Sequence, residues 1–514
     1  MHAFLQTQDL MHLIFECLRD DAPGRAANKT LVALALTCHE FQNLALDCLP
    51  EDLWTETQDM NLYTSFRFTR RIYIKDFSRF DFYAQRIKCL EYHTVYSGSG
   101  STDPDDFLCF VKLHNVRCTQ PLLPNLREIS FLDSRHATFR PDIFLAGGPK
   151  SISLQWSGSD ENADKLLPFI QKFCPTLETL DLGSLISLPT LKDPYFSTFV
   201  ITMDKLRELY CGRKILDAAA LDHLASLPYL RTLQVCNSTQ GILQAVGSVS
   251  GSSKFSHLQN LIMKEDHAMQ VLPSFAALLR RLSPLQLRSL ELHLHTLRSG
   301  IDISSVLFDI FGSLTSSSRL GTMHRIIIHS SASDHPTLSS STNGLAFSAS
   351  AITPLFAFSN LVKLELVFPS QSYVDFDDEF MLSVGRAWSK LQHLQLGPLK
   401  GWGVKHPAIT FNGLVALVEG CPDLEFLAFV FNASASDELK RDSKSLPMNA
   451  SVTSLFVGDS IIDQKGEEYA AMVLSTMFPR LLNITGAWNF SGFDPYTPIW
   501  QSLVKKLNQK NRGR

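Results

Sequence analysis

The chain has 514 residues, and its 47 Lys and Arg against 51 Asp and Glu give a formal net charge of −4 at pH 7. This near balance argues against a general binder of nucleic acid or of anionic membrane, which would carry a basic excess. Hydrophobic residues make up 45% and charged residues 19%, which excludes a chain that is disordered throughout. No run approaches the roughly 20 apolar residues that span a bilayer. Ten cysteines without a Cys-x-x-Cys pair favour neither a disulfide framework nor a zinc ribbon.

Residues 1–55 show three short helical patterns. In each pattern apolar residues recur at i, i+3, i+4 and i+7, which gives a helix one apolar stripe. The three stripes begin at Leu10, Leu31 and Phe41. Because so small a unit has little core of its own, we expect it to pack on the rest of the chain, on a partner or on both. The polar run Gln6–Asp9 and the lack of a basic leader predict no signal peptide, and hence a cytoplasmic and/or nuclear protein.

After a connecting segment at 56–83, residues 84–514 repeat one pattern: an apolar residue, two polar or small ones, an apolar residue, any residue and an apolar residue. The step averages about 30 residues, near the upper end for leucine-rich repeats, and helically spaced apolar residues lie between copies. One strand and one helix cannot bury their own apolar face, so the pattern predicts a stacked α/β solenoid. We expect a horseshoe with parallel strands on the concave face and helices outside, because an α/β protein with coincidental leucine spacing would not repeat so often. Clear copies are Leu126–Phe131, Leu177–Leu182, Leu206–Cys211, Leu230–Val235, Leu258–Met263, Leu287–Leu292, Leu361–Leu366, Leu391–Leu396 and Leu424–Phe429.

The residue between the last two apolar positions of each copy should point to the concave side, because side chains alternate along a strand. Such a row is long enough for a standard protein interface of about 800 Å² per partner. Glu291 and Glu365 in this row suggest a basic partner. Tyr210 and Phe456 are candidate anchors, since aromatic residues often carry binding energy, although a flanking loop could equally cover them. The predicted substrate-binding residues are Asp181, Tyr210, Gln234, Ile262, Glu291, Ile327, Glu365, Gln395 and Phe456.

The sequence carries no motif typical of an enzyme. It lacks the Gly-x-Ser-x-Gly elbow, the phosphate-binding loop, the dinucleotide-binding glycine run and the His-Glu-x-x-His zinc motif. We therefore predict a non-enzyme without catalytic residues or a cofactor. His293 and His295 lie two apart near Glu291 and could in principle hold a metal. Solvated histidines are far commoner on such a surface, so we predict no metal site.

Two N-terminal strings resemble the F-box of fungal F-box proteins that carry leucine-rich repeats. Residues 34–49 read LALTCHEFQNLALDCL and are followed by Leu53-Trp54. This is similar to the family's run L-x-C-x-x-F with A-L-D-x-L-W after it. Residues 10–18 look like the first helix of an F-box, and the repeats behind them match the family's usual architecture. The chain has Gln8-Asp9 where the family opens with Leu-Pro.

The resemblance implies a non-catalytic adaptor. In that family the F-box docks on a Skp-type adaptor of a cullin–RING (SCF-type) ubiquitin ligase, while the repeats bind a protein substrate. An amphipathic helical unit is suited to this, because it presents an apolar stripe to a groove on another protein. The alternative is a leucine-rich-repeat interaction scaffold that is not linked to ubiquitination, with the helical unit as a cap. The predicted adaptor-binding residues are Leu10, Ile14, Phe15, Leu18, Leu31, Leu34, Cys38, Phe41, Leu44 and Leu53.

Overall fold

The structure is a computed structural model, and the chain divides into two compact units. Unit 1 is Met1–Pro189 with Thr198–Arg213, and unit 2 is Thr190–Ser197 with Lys214–Arg514. The residues that the structure describes are 52–53, 77–93, 114–115, 121–133, 142–156, 161–183, 191–192, 194–212, 214–236, 255–265, 268–281, 285–295, 303–331, 346–368, 373–397, 407–434, 445–486 and 496–512.

Most of the predicted helical unit lies outside the described residues. The same holds for these predicted adaptor-binding residues: Leu10, Ile14, Phe15, Leu18, Leu31, Leu34, Cys38, Phe41 and Leu44. Leu53 is described, and it forms the two-residue strand β1 with Asp52. β1 pairs in parallel with the strand at Cys89–His93 and aligns Leu53 with Leu90, so the predicted helical unit ends in a strand. Contact of Leu53 with an adaptor stays a prediction.

The strands of unit 1 confirm the parallel, repeat-by-repeat arrangement. Each strand pairs in parallel with the strand of the next copy along the chain. In order they are β1 (Asp52–Leu53), β2 (Cys89–His93), β3 (Glu128–Asp133), β4 (Ser151–Trp156), β5 (Thr179–Asp181) and β7 (Glu208–Tyr210).

In the described part of unit 2, nine strands follow the same plan and pair in parallel with their neighbours. They are β9 (Thr232–Cys236), β10 (Asn260–Glu265), β11 (Ser289–His295), β12 (Arg325–Ser331), β14 (Lys363–Val367), β16 (His393–Leu396), β17 (Phe426–Ala428), β18 (Ser454–Gly458) and β19 (Asn483–Gly486). Two short parallel pairs stand apart from these strands: β6 (Leu191–Lys192) with β8 (Lys214–Ile215), and β13 (Ala346–Phe347) with β15 (Tyr373–Val374).

Among the described residues, a helix lies between most pairs of successive strands of the array, as the pattern predicts. The described helices are α1 (Phe77–Ala84), α2 (Asp142–Leu145), α3 (Glu161–Phe173), α4 (Pro194–Ile201), α5 (Ala218–Ser226), α6 (Ala268–Arg281), α7 (Ile303–Ser317), a 3₁₀ helix (Ala349–Ala357), α8 (Asp378–Ala387), α9 (Phe411–Gly420), α10 (Gln464–Met477) and α11 (Thr497–Arg512). Five of the described helices begin at a polar cap whose side chain accepts a bond from a backbone N–H of the first turn. These caps are Asp217, Ser348, Asp377, Thr410 and Asp463.

The apolar positions of each copy form the core. In the copy that contains β11, Leu287, Leu290 and Leu292 are completely buried. Glu291 lies between two of them and is only half-buried. The repeat pattern therefore records which side of each strand faces inward, because alternate side chains of a strand point to opposite faces.

Backbone hydrogen bonds at the start of the strands lock neighbouring copies into register. The N–H groups of Val362 and Lys363 both donate to the carbonyl of His324, at 2.8 and 2.9 Å. One copy later, the N–H groups of Gln392 and His393 donate to the carbonyl of Val362, at 2.9 and 3.1 Å. Equivalent residues about 30 positions apart are thereby brought side by side.

Candidate functional site

The predicted row of substrate-binding residues forms an aligned series in each unit. In unit 1, Asp181 pairs in register with Ser153 and Tyr210, and Ser153 Oγ donates a hydrogen bond to Asp181 Oδ2 at 3.0 Å. In unit 2 the register places nine residues next to one another, one from each strand, and we call these the central row. They are Gln234, Ile262, Glu291, Ile327, Glu365, Gln395, Ala428, Phe456 and Thr485.

The central row is less accessible than the sequence predicts. Gln234 and Ile327 are only 4% and 3% exposed, so their side chains offer little to a partner. Ile262, Gln395 and Phe456 are half-buried and retain accessible surface. Substrate contact by any of these residues stays a prediction.

Glu365 is the centre of a cluster of charged and polar side chains on β12, β14 and β16. Lys363 Nζ lies 2.7 Å from its Oε1, and His329 Nε2 lies 3.0 Å from its Oε2. His393 Nε2 is also 2.7 Å from Oε1, although the ring is not aligned for a good hydrogen bond. Both carboxylate oxygens are therefore engaged by groups of the chain itself.

Glu291 forms a second, linked centre on β11. Its Oε1 lies 3.3 Å from the Arg325 guanidinium, and its Oε2 lies 3.5 Å from His293 Nε2. The rings of His293 and His329 meet edge to face with centroids 5.6 Å apart, which joins the two centres. We call these seven residues the Glu–His cluster: Glu291, His293, Arg325, His329, Lys363, Glu365 and His393.

The contacts hold both carboxyl groups in their ionised form. For Glu365, burial by itself raises the pKa, but the contacts from His329, His393 and Lys363 together outweigh it, so the pKa lies far below its usual range. For Glu291 the bond from His293 lowers the pKa, burial opposes it, and the charge of Arg325 lowers the pKa further. A carboxylate stabilised in this way holds its surrounding donors in place.

An aromatic surface adjoins the Glu–His cluster. The His393 ring stacks on Phe426, with centroids 4.1 Å apart and planes inclined by 5°. Phe426 in turn contacts Phe456, at 5.1 Å between centroids. Phe456, predicted from its position in the central row, therefore lies beside Phe426 and keeps part of its surface accessible.

Sequence reasoning missed the donors and the second aromatic residue of this site. Arg325, Lys363, His393 and Phe426 lie two positions before the central row on their strands, and His329 lies two positions after it. The sequence indicates that these residues lie on the same face as the central row, since residues i−2 and i+2 share a face with residue i in a strand. Predicting that they contact Glu291, Glu365 and Phe456 also requires the register between neighbouring strands, which the sequence does not give.

Within the described parts of the chain, no group of three or more His, Cys, Asp or Glu side chains is arranged to hold a metal ion. His293 belongs to the Glu–His cluster through Glu291. Among the helices that the structure describes, none is long and apolar enough to cross a membrane.

Comparisons with known proteins give a likeness in structure alone. No protein-family model matches the chain, and no curated protein is significantly similar to it. A solved structure that matches is a plant peptide hormone receptor, RGFR1, in complex with RGF2. The sequence identity is 12% and the TM-score 0.32, over 71% of this chain and 52% of the receptor chain. This chain thus matches about half the length of that receptor chain.

Proposed function

We propose that the protein is a non-enzymatic protein-interaction scaffold that binds a partner on the strand face of unit 2. The strand face comprises the central row together with the residues two positions before and after it. The observation that carries the proposal is that nine parallel strands pair in register along the central row, which places half-buried polar and aromatic side chains side by side. Nine strands at a spacing of about 4.8 Å extend roughly 40 Å, enough for a standard interface of about 800 Å² per partner.

A more specific role follows from the resemblance of residues 1–55 to an F-box. We propose that this segment docks on a Skp-type adaptor of an SCF-type cullin–RING ubiquitin ligase, and that the chain recruits a protein substrate without itself catalysing ubiquitin transfer. This role places the protein in the cytoplasm and/or nucleus. A scaffold that is not linked to ubiquitination is the second candidate, and the Gln8-Asp9 pair at the start of the first helical pattern favours it.

Co-purification of the full chain with a Skp-type adaptor separates the two candidates. A Leu34→Asp, Leu44→Asp double variant places charge on two of the apolar stripes and should abolish recovery of the adaptor. The matched control is Leu482→Asp, because Leu482 is already 59% exposed and tolerates a polar side chain. Equal recovery of the adaptor by the double variant and by the wild-type chain would refute docking through residues 1–55. Circular dichroism checks that all variants fold.

A further inference from the structure

In the Glu–His cluster the hydrogen-bond donors are more exposed to solvent than the carboxylates. The side chains of Glu365 and Glu291 are only 10% and 18% exposed, whereas those of Arg325 and His329 are 46% and 41% exposed. A partner that approaches this surface therefore meets N–H groups before it meets carboxylate oxygens. This reverses the expectation from the sequence, in which Glu291 and Glu365 were available to a basic partner.

The charges on this surface also favour an acidic partner over a basic one. Arg325 and Lys363 offset the two carboxylates, and the three imidazoles of the cluster add donors without adding negative charge. Lys264, which pairs in register with His293, is half-buried and adds a further positive charge on β10. A carboxylate that approaches gains charge-assisted hydrogen bonds, whereas an incoming ammonium group is repelled by Arg325 and Lys363.

The aromatic surface beside the cluster indicates that the partner also carries an aromatic side chain at a defined distance from its acidic group. Phe456 on β18 lies three strand steps from Glu365 on β14 and four from Arg325 on β12. At about 4.8 Å per step this is roughly 14 to 19 Å, which an extended peptide covers in about four to six residues. An aromatic side chain at that distance from an acidic group would reach Phe426 and Phe456.

We propose that the strand face of unit 2 binds an extended acidic segment of a partner protein. The segment carries adjacent Asp or Glu residues that bond to Arg325 and His329, and an aromatic residue about four to six positions away that packs on Phe426 and Phe456. This inference rests on the proposed scaffold function and specifies the chemistry of its partner.

Fluorescence anisotropy with the full-length protein tests the inference. The probe is a labelled peptide that has three consecutive glutamates and a phenylalanine about five residues beyond them. Two matched peptides replace the glutamates by lysines or the phenylalanine by serine. We expect the glutamate peptide to bind, each replacement to weaken binding at least about tenfold, and added salt to weaken it as well.

Variants of the protein assign the binding to the strand face. Arg325→Glu and Phe456→Ala should each weaken binding of the glutamate peptide about tenfold or more. Arg480→Glu, which reverses an exposed arginine outside the strand face, should leave it unchanged. Circular dichroism of each variant separates lost binding from lost folding.

Three results would overturn the inference: no binding of the glutamate peptide, equal or tighter binding of the lysine peptide, or binding that Arg325→Glu and Phe456→Ala leave intact. Tighter, Phe456-dependent binding of the lysine peptide would refute the acidic preference and still support a protein-binding strand face. Recovery of the Skp-type adaptor from the same preparations reports on the docking role separately, since that role uses residues 1–55.

Discussion

Replacing Asn449 by alanine should destabilise unit 2 far more than the same change at Asn432, although both open the tripeptide Asn-Ala-Ser. Asn449 lies just before β18 and is 3% exposed. Its Nδ2 donates to the carbonyls of Pro422 and Leu424, both at 3.0 Å, and these residues belong to the preceding copy. One side chain thus ties together the turns of two successive copies.

The same side chain also closes its own turn. Oδ1 of Asn449 accepts bonds from the N–H groups of Ser451 and Val452, at 2.8 and 3.1 Å. Pro422 and Ser451 are exposed, so the carbonyl of Pro422 and the N–H of Ser451 can bond to water once the side chain is lost. The carbonyl of Leu424 and the N–H of Val452 are buried, and leaving each without its partner costs about 1.5 kcal/mol, so Asn449→Ala should cost about 3 kcal/mol. Asn432 is half-buried and accepts one bond, from Ser434 N at 3.0 Å, so Asn432→Ala should cost about 1 kcal/mol or less.

Native-state hydrogen exchange gives the sharpest measurement. A loss of about 3 kcal/mol corresponds to a drop of about 100-fold in the protection of the β18 amides, whereas Asn432→Ala should lower it less than about tenfold. Urea unfolding followed by circular dichroism provides a second measurement through the transition midpoint. If the two alanine variants lose equal protection, the reasoning from buried hydrogen bonds is wrong.

Two further predictions concern the packing of two helices and the Glu–His cluster. A Cβ on Gly420 would lie 2.4 Å from the backbone of Gly385, so Gly420→Ala should lower the thermal midpoint through overpacking of about 1–3 kcal/mol. The control Gly312→Ala meets nothing within 4 Å and should leave the midpoint unchanged or raise it; a similar loss in both variants would contradict the packing argument. Because the pKa of Glu365 is lower in the folded than in the unfolded chain, its carboxylate stabilises the fold above the unfolded pKa of about 4.3 and loses this effect as the pH falls further. Between about pH 6 and pH 3, the urea midpoint of Glu365→Gln should therefore fall less than that of the wild-type chain, and parallel pH profiles would show that the ion pairs do not stabilise the fold.

The repeats were predictable because each copy carries its own inside–outside pattern. Leu414, Leu417 and Val418 are spaced as one helix face, and all three are buried in α9. Leu361, Leu364 and Leu366 follow the strand pattern and are likewise buried around β14. Local periodicity is enough to predict these helices, strands and buried residues, because burial requires only that a residue lie on the inner face of its own copy.

Other elements gave no such signal. Asp52–Leu53 form a strand only because β2 supplies their hydrogen-bonding partners, and a two-residue run has no periodicity to read. The short parallel pair of β6 and β8 could not be predicted either, since Leu191–Lys192 and Lys214–Ile215 lie outside the repeat pattern. The division of the array into two compact units leaves no mark in the leucine spacing either.

The sequence by itself determined which side chains face inward and that successive strands run in parallel, because the period of apolar residues is a property of each short segment. It also determined that Glu291, Glu365 and Phe456 share one row. Only the tertiary structure decided what surrounds them. The side chains that engage Glu365, from His329, Lys363 and His393, lie on three strands, and the register of backbone hydrogen bonds brings them within 3.0 Å. The charge that this surface shows to a partner depends on these long-range contacts, which no local pattern encodes.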